Sequence, residues 1–495
     1  MIHLWHHKIT QYLSSKMISF AIIAGLIGIG FEYSIPTNVS AQPAGISWSK
    51  EEIIATINSD QPQTYFPVIA ADNYGSTHIF WTEENAIYYI HKDEAGWTLP
   101  IDIEYSREQS FTFPSTVIDQ NGILHLVWYA YGEVYYKHVP AWEATNLHNW
   151  SATRTIAVIG GSSTPLRIGV DLNNNLHIIL SDWIGRSGET TKGDVYHFYS
   201  SDHGQNWTRL VKVSAVSNGE LATDPRMAFD DQGNVHIAWA QMAPNLSGRQ
   251  QGIYYARLSD QWERPTLPQE IASNEQNENW LMGANIAVSR DNTVHLVWVC
   301  GMQAHRCQSW STDGGVSWSS PQQIFENLLG LSGWDVMVND GAGNLFLITD
   351  LRYPQAMYYS YWNGEGWQDP PLIASTDPYM KLGENIMAAV GLNNQIHVVV
   401  QLGNVISYMS GRTTAPAITP AQIPTPINLT PTNPNNSEMT EAVNNETPEQ
   451  SPKVQTSSDA IRLGSSELQI ILLSGVLVLL VNIVIGLIFF SRRHS

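Results

Sequence analysis

The sequence is poor in cysteine and in positive charge, and each shortage excludes classes of protein. Its 495 residues include only two Cys, which excludes a disulfide-dense scaffold and a Cys-based zinc cluster. Lys and Arg number 25 against 45 Asp and Glu, so the formal net charge is 25 − 45 = −20. Nucleic acids and anionic membrane surfaces are bound by clustered Lys and Arg. We therefore expect neither as a partner.

Common motifs of catalysis and cofactor binding are missing as well. The chain has no P-loop, no nucleotide fingerprint, no His-Glu-x-x-His and no Gly-x-Ser-x-Gly. We expect no cofactor and no metal site. Aromatic residues are abundant instead, with 18 Trp and 21 Tyr, whereas only 14% of residues are charged. This composition excludes a disordered chain and favours many short strands and turns.

The two ends of the chain carry apolar runs of different length. Residues 1–41 are predicted to be a signal peptide, because the run 17–31 is short for a spanning helix and small residues precede a cleavage site after Ala41. An uncleaved anchor is the alternative, and in either case the rest of the chain is exported. Residues 468–490 are uncharged and long enough to cross a membrane, and the basic tail 491–495 is expected in the cytoplasm.

Residues 413–467, rich in Pro, Thr, Asn and Ser, predict a disordered stalk that holds the ectodomain off the membrane. No Leu-Pro-x-Thr-Gly precedes the apolar run, so we interpret the run as a plain membrane anchor. The layout predicts a single-pass protein of the cell membrane, with its bulk outside the cell.

Residues 42–412 repeat themselves. The visible unit is a turn, a His, and a β-branched or aromatic run that often ends in Trp. The spacings between copies are 47, 52, 59, 59, 51 and 51 residues, and the copies centre on these positions: His78, His125, His177, His236, His295, Phe346 and His397. Short strands repeating every 50 residues or so indicate β-propeller blades.

Each unit contains a Tyr-rich run and a Trp turn after the His strand, so we predict four strands per blade. The seventh unit lacks its last strand. The segment from Trp48 to Ile54 resembles the end of the fifth unit, from Trp318 to Ile324. We therefore predict that the N-terminal strand completes the last blade of a seven-bladed ring, with six blades as the alternative. Closure would remove an exposed sheet edge.

Two turns fit the pattern Ser-x-Asp-x-Gly-x-x-Trp. In this pattern Asp accepts backbone N–H bonds, Gly permits a positive φ, and Trp fills the space beneath. The pattern positions are Ser200, Asp202, Gly204 and Trp207, then Ser311, Asp313, Gly315 and Trp318. The pattern resembles the Asp-box, or BNR repeat, of sialidase-like propellers. That resemblance implies that these turns are structural and lie on the face opposite an active site.

The same resemblance implies what a sialidase would need: three arginines that clamp a carboxylate, a Tyr–Glu nucleophile pair and an Asp acid/base. The first arginine usually lies in a Phe-Arg-Ile-Pro stretch. This chain has Tyr65-Phe66-Pro67-Val68 there, without Arg. The departure favours binding over hydrolysis. Related Asp-box propellers include lectin-like proteins, so the fold does not decide the function.

The repeated His recurs in six units at one strand position, whereas one active site cannot use six equivalent positions around a ring. We interpret these histidines as inter-blade packing and hydrogen-bonding groups. Aligning the units on them places Arg167 and Arg226 at one level, ten residues before the His, with Asp224 beside them. Arginines suit bidentate binding of a carboxylate.

Other candidates lie on strand ends and loops of the third to sixth units. The proposed ligand-binding set is Arg167, Arg226, Arg352, Trp183, Trp280, Trp334 and Asp335. The alternative is that these are ordinary rim residues and loop-anchoring salt bridges. Cys300 and Cys307 bracket a loop, and outside the cell they are well placed to form a disulfide.

The sequence supports three hypotheses of function. The first is recognition of an extracellular glycan or protein through the face that carries the arginines. The second is an exo-α-sialidase, with Arg167, Arg226 and Arg352 as the clamp and these catalytic groups: Tyr353 with Glu384 as nucleophile pair and Asp224 as acid/base. The third is a passive structural surface protein.

Overall fold

The computed structural model describes residues between 46 and 416. The described ranges are 46–57, 66–83, 85–107, 111–163, 165–184, 192–217, 219–242, 250–259, 262–274, 281–326, 335–352, 355–368, 372–375 and 383–416. They belong to the first of two compact units, Met1–Thr425, and the second, Pro426–Ser495, lies wholly outside them. The predicted signal peptide, most of the stalk, the apolar run 468–490 and the tail are outside the described residues too. Within the described ranges, no helix has the length and apolar character needed to cross a membrane.

The described chain is all-β, with three single-turn 3₁₀ helices, Ala141–Glu143, Leu147–Asn149 and Leu392–Asn394. Its strands group into successive repeats, numbered here from 1. Repeat 1 holds β3 (Val68–Ala71), β4 (Thr77–Glu83), β5 (Ala86–Asp93), β6 (Gly96–Trp97) and β7 (Ile101–Tyr105). Repeat 2 holds β8 (Thr112–Ile118), β9 (Ile123–Ala130), β10 (Glu133–Pro140) and β11 (Arg154–Val158). Repeat 3 holds β12 (Ser162–Ser163), β13 (Arg167–Val170), β14 (Leu176–Ile184), β15 (Lys192–Ser200) and β16 (Val211–Lys212).

Repeat 4 holds β17 (Leu221–Phe229), β18 (Val235–Met242), β19 (Gln250–Ser259), β20 (Arg264–Pro265) and β21 (Gln269–Ser273). Repeat 5 holds β22 (Leu281–Val288), β23 (Val294–Cys300), β24 (His305–Ser311) and β25 (Gln322–Ile324). Repeat 6 holds β26 (Val336–Asn339), β27 (Leu345–Arg352), β28 (Gln355–Tyr361) and β29 (Leu372–Ser375). Repeat 7 holds β30 (Gly383–Val390), β31 (Gln395–Leu402) and β32 (Val405–Arg412), joined by β1 (Ser47–Trp48) and β2 (Glu52–Thr56).

Each repeat is an antiparallel meander of strands named A to D in chain order, as in β8–β9–β10–β11. Strand A of every repeat contacts strand A of the next, and β30 of repeat 7 contacts β3 of repeat 1. The repeats therefore close into a ring with the A strands innermost. We call the end that carries the B–C turns and the starts of strands A the mouth face, and the opposite end the turn face.

The N-terminal strands complete repeat 7. Ser47 pairs with Arg412 and Glu52 pairs with Tyr408, so β1 and β2 occupy the outer position beside β32. Trp48 contacts Tyr359 of repeat 6, with 5.7 Å between ring centroids. The sequence match between the N-terminus and the end of the fifth unit correctly predicts this pairing, which leaves no free edge on β32.

Strand B is buried on both faces because each sheet is packed between two others. In β4, Phe80 packs in a cluster with Leu124 of repeat 2. On the other side Ile79 and Trp81 pack with Val399 of repeat 7. Burial on both faces explains why these strands read as continuous apolar runs without alternation.

The repeated His is a buried link within its own repeat. In repeat 4, Nδ1 of His236 lies 2.7 Å from the Tyr255 hydroxyl, and Nε2 lies 3.2 Å from Asp230 in the A–B turn. The same series of hydrogen bonds joins Asp72, His78 and Tyr89 in repeat 1. The predicted packing between blades is confirmed, since His177 packs against Trp262 of repeat 4 at 4.6 Å and His295 against Trp362 of repeat 6 at 4.7 Å. The main hydrogen-bond partners come from the A–B turn and strand C of the same sheet. The 3.1 Å contact between Thr77 and His397 is an exception.

Repeat 6 has Phe346 in place of the His, and its polar neighbours find other partners. The Tyr359 hydroxyl accepts a bond from the backbone N–H of Ile46 at 2.9 Å. The Asp340 carboxylate accepts one from the hydroxyl of Thr413 at 2.9 Å. Thr413 is also buried. The packed part of the chain therefore includes the first residue of the predicted stalk, 413–467.

The two turns with the pattern Ser-x-Asp-x-Gly-x-x-Trp lie between strands C and D on the turn face. In the second, the Ser311 hydroxyl donates to Asp313 at 2.7 Å and accepts from the backbone N–H of Gly315 at 2.8 Å. Gly315 has φ 85°, and a Cβ there would lie 1.9 Å from the Tyr255 hydroxyl of repeat 4. Trp318 packs edge-on against the same tyrosine at 4.8 Å. The turn is therefore a docking element between repeats. The first of the two turns meets Tyr136 of repeat 2 in the same way.

Candidate functional site

A recurring kink shapes strand A where it reaches the mouth face. In β17 the pairing register shifts between Thr223 and Arg226, and Asp224 inside the shift has φ 49°. The equivalent positions of repeats 1, 2 and 5 also have positive φ: Phe66 at 44°, Phe113 at 53° and Gly283 at 55°. Bulges of this kind re-aim a side chain at the end of a strand. For bulky L-residues such a backbone costs about 1–2 kcal/mol each.

The kink brings two arginines to one carboxylate. Arg167 at the start of β13 and Arg226 in β17 each place Nη2 3.8 Å from a different oxygen of Asp224. The side chain of Asp224 is 2% exposed, whereas those of Arg167 and Arg226 are 14% and 10% exposed. Arg167 also donates from Nη1 to the Leu166 carbonyl at 3.1 Å. Aligning the repeats on their His predicts this neighbourhood.

Burial dominates the electrostatics of this triad. It raises the pKa of Asp224, although the two guanidinium groups act in the opposite direction. It lowers the pKa of Arg167 to about 9, and repulsion from Arg226 adds to that effect. The guanidinium groups of Arg167 and Arg226 thus have the single carboxyl group of Asp224 between them. An added anion at this point would relieve repulsion between the arginines.

An aromatic pair borders the arginines. The rings of Phe66 and Phe113 meet edge-to-face at 4.6 Å. With Arg167, Arg226 and Met387 they line a narrow crevice whose inner space is about 10 Å³, room for about one water molecule. The two phenylalanines are not among the site residues predicted from the sequence. The alignment that found Asp224 places them at the same position of repeats 1 and 2, so that signal was present.

Asp335 and Arg306 pair with each other. Nη2 of Arg306 donates to Asp335 at 3.0 Å and to the Thr349 hydroxyl at 3.1 Å, and Arg306 is fully buried. The pair is buried, and two hydrogen bonds join it between repeats 5 and 6. Binding a ligand with either side chain would leave the other charge buried without its partner. The structure thus places Asp335 in a buried ion pair, as the alternative of a loop-anchoring salt bridge describes. A contact of Asp335 with ligand stays a prediction.

Trp183 lies half-buried on the mouth face, and its indole N–H donates to the Ala222 carbonyl at 3.1 Å. Trp280, Trp334 and Tyr353 lie outside the described residues. Arg352 ends β27 and Glu384 lies in β30, but the structure describes only their backbone. The convergence of a third arginine and of the Tyr–Glu pair stays a prediction.

Cys300 and Cys307 form a disulfide across the ends of strands β23 and β24, with Cα atoms 5.8 Å apart. In the described ranges, no three His, Cys, Asp or Glu side chains are grouped so that they could hold a metal ion. The chemistry available in the described site is thus that of two guanidinium groups, one buried acid and an aromatic wall.

No protein-family model matches the sequence, and no curated protein matches it either. Solved structures match in fold. The polysaccharide lyase Uly1 aligns with a TM-score of 0.50 and 9% identity, covering 72% of this chain and 92% of the lyase. The Streptococcus pneumoniae NanB sialidase aligns at 0.42 and 13% identity, covering 73% and 70%. The Penicillium chrysogenum α-L-arabinanase complexed with arabinobiose aligns at 0.45 and 12%, covering 74% and 98%. These neighbours are β-propellers named for glycan chemistry, and at these identities what this chain shares with the lyase is the propeller-like fold.

Proposed function

We propose that the protein is a cell-surface, seven-bladed β-propeller that binds an extracellular glycan carrying an acidic group through its mouth face. The observation that carries this proposal is the convergence of Arg167 and Arg226 on one site in a chain of net charge −20. Planar guanidinium groups bind carboxylates and sulfates in bidentate fashion. Phe66 and Phe113 beside them are half-buried, so they leave apolar surface for the ring of a sugar that lies over the crevice.

The rest of this proposal concerns the family relationship and the location of the protein in the cell. We assign the propeller to the Asp-box class. We place it outside the cell, on a stalk and an anchoring helix at 468–490, in a single-pass membrane protein with a cytoplasmic C-terminus. The sequence of the two ends supports export and anchoring. The closure by β1 and β2 supports the ring itself. A protein ligand is the alternative occupant of the same face.

A direct test uses the full chain in detergent with acidic oligosaccharides: oligogalacturonates, hyaluronan oligosaccharides and α2,8-oligosialic acids. We expect at least one series to bind, and Arg226→Ala to weaken that binding at least tenfold, which is about 1.4 kcal/mol. Arg226→Lys keeps the charge but loses the planar fork, so it should weaken binding as well. Arg290→Ala removes an exposed arginine from the turn face and is the matched control. An effect of Arg290→Ala equal to that of Arg226→Ala would disprove the site.

The exo-α-sialidase is the second candidate, because two of the three arginines proposed for its clamp, Arg167 and Arg226, lie beside the same carboxylate. In that interpretation Asp224 is the acid/base, and its raised pKa suits a proton donor. Release of a fluorogenic leaving group from an α-sialoside distinguishes the two candidates. Turnover that Asp224→Asn abolishes would establish hydrolysis. Binding without turnover would leave recognition as the function.

A further inference from the structure

A second aromatic feature lies on the mouth face, at the B–C turn of repeat 2. Ala130 pairs with Glu133, so the turn has only two residues, Tyr131 and Gly132. Their φ values are 48° and 83°, the combination of a type I′ turn. Such turns favour Asn or Asp before Gly. A tyrosine there carries a backbone cost that asparagine avoids, and its side chain is 66% exposed.

The turn is rigidly held in spite of this exposure. The Tyr129 hydroxyl accepts from the backbone N–H of Gly132 at 3.1 Å and donates to the Gly161 carbonyl at 2.9 Å. The Gly132 carbonyl in turn accepts from Ile159 at 2.7 Å. Val158, the residue before Ile159, is also 67% exposed, so this bonded turn carries two exposed side chains. Because the backbone is held, covering the Tyr131 ring costs only the rotamer freedom of that one side chain.

Hydrogen bonds connect this turn to the arginine site. Asp182 accepts from Gly160 at 3.0 Å and from Gly161 at 2.8 Å. Trp183, the next residue, donates to the carbonyl of Ala222, two residues before Asp224. These hydrogen bonds therefore tie the Tyr131 turn and the end of β14 to the start of β17, the strand that carries Asp224 and Arg226.

We propose that Tyr131 forms an outlying subsite that stacks on a sugar ring of the same glycan whose acidic group is held by Arg167 and Arg226. The ligand is then an oligosaccharide or polysaccharide rather than a single terminal sugar. A protein partner would need about 800 Å² of surface, whereas one ring and one valine match a sugar unit. The tyrosine pairs an apolar face with a polar hydroxyl, as sugar rings do. This inference rests on the function proposed above.

The test compares acidic oligosaccharides of one and four units, from the three series named above, on the full chain. The wild type is expected to bind the tetramer more tightly than the monomer. Tyr131→Asn removes the ring and suits the turn better, so the thermal midpoint should hold or rise while tetramer affinity falls about tenfold. Monomer affinity should not change. Tyr131→Trp should restore tetramer binding, and Tyr105→Ala, which truncates a tyrosine 60% exposed in repeat 1, is the control.

The outcomes separate the two proposals. Tetramer affinity unchanged in Tyr131→Asn, with Arg226→Ala still weakening both lengths, overturns the subsite and leaves the arginine site standing. Equal loss of monomer and tetramer in Tyr131→Asn also overturns it, because the effect would then be indirect. No binding by the wild type in any series overturns the proposed function and the subsite with it.

Discussion

Single glycines decide how the two Ser-x-Asp-x-Gly-x-x-Trp turns dock between repeats. Gly315→Ala places a Cβ at φ 85° and 1.9 Å from the Tyr255 hydroxyl. That tyrosine is bonded to His236 and cannot withdraw without breaking the bond. We expect a loss of more than about 2 kcal/mol in the free energy of unfolding, measured by urea denaturation.

Gly364 in the corresponding turn of repeat 6 provides the control. Its φ is 98°, and a Cβ there would meet nothing within 4 Å. Gly364→Ala should therefore cost only the backbone term, about 1 kcal/mol. Similar losses for the two variants would show that the tyrosine contact contributes nothing to stability.

Buried histidines make the stability of the ring depend on pH. Burial lowers the pKa of His295 to about 4 and that of His397 to about 4, so both are neutral in the folded protein down to that pH. An unfolded His binds a proton near about pH 6.5. Above pH 6.5 the histidines are neutral in both states and do not oppose folding. As the pH falls from 6.5 to 4, the unfolded state binds protons that the folded state does not, so the free energy of unfolding decreases. The slope is about 1.4 kcal/mol per pH unit for each histidine.

His295→Phe tests this contribution, because Phe346 holds the equivalent place in repeat 6. We expect a smaller decline in unfolding free energy between pH 6.5 and 4 than in the wild type, from denaturation curves at each pH. The exposed His148→Phe should leave the decline unchanged. A parallel decline in His295→Phe and wild type would contradict the assignment.

At the scale of elements, β2 closes repeat 7 by burying the side chains on one of its faces, whereas those on the other face are exposed. Ile57, just after β2, is 1% exposed and its backbone N–H donates to the Asn404 carbonyl at 2.8 Å. Ile53 in β2 is 58% exposed. Ile57→Ala should cost about 2–4 kcal/mol, whereas Ile53→Ala should cost less than about 1 kcal/mol. Equal thermal shifts in the two variants would mean that β2 does not seal repeat 7.

The strands themselves could largely be predicted from the sequence, for a physical reason. Strand B is buried on both faces, so it reads as an uninterrupted apolar run with a fixed His, and its copies align. The partners of that His could not be read from the alignment. Asp230 and Tyr255 lie on either side of His236 in the chain, and only the hairpin pairing shows that they belong to the same sheet. The positive φ of Phe66 and Phe113 was equally hidden, because nothing in a phenylalanine signals that backbone.

At the scale of the molecule, ring symmetry explains which site residues were predictable. Arg167 and Arg226 occupy the same position in adjacent repeats, so their proximity follows from the alignment alone. Arg306 and Asp335 come from a B–C hairpin and the start of the next strand A, and no repeat position relates them. Whether a charged side chain on such a loop turns outward or pairs inward depends on its neighbours in space. The sequence left both alternatives open, and the structure shows pairing.

The net charge of the ring should control how fast an acidic ligand reaches the arginines. The chain carries −20, so distant acidic residues repel an anionic glycan. Their field extends about 30 Å at 0.01 M salt but only about 8 Å at 0.15 M. Contacts with Arg167 and Arg226 form at short range and are screened much less. We therefore expect the association rate of an acidic tetramer to rise severalfold between these salt concentrations, with little change in dissociation, as measured by stopped-flow fluorescence. A neutral tetramer serves as control and should show no such rise. An association rate for the acidic tetramer that falls with salt would mean that the local positive charge dominates the approach of the ligand.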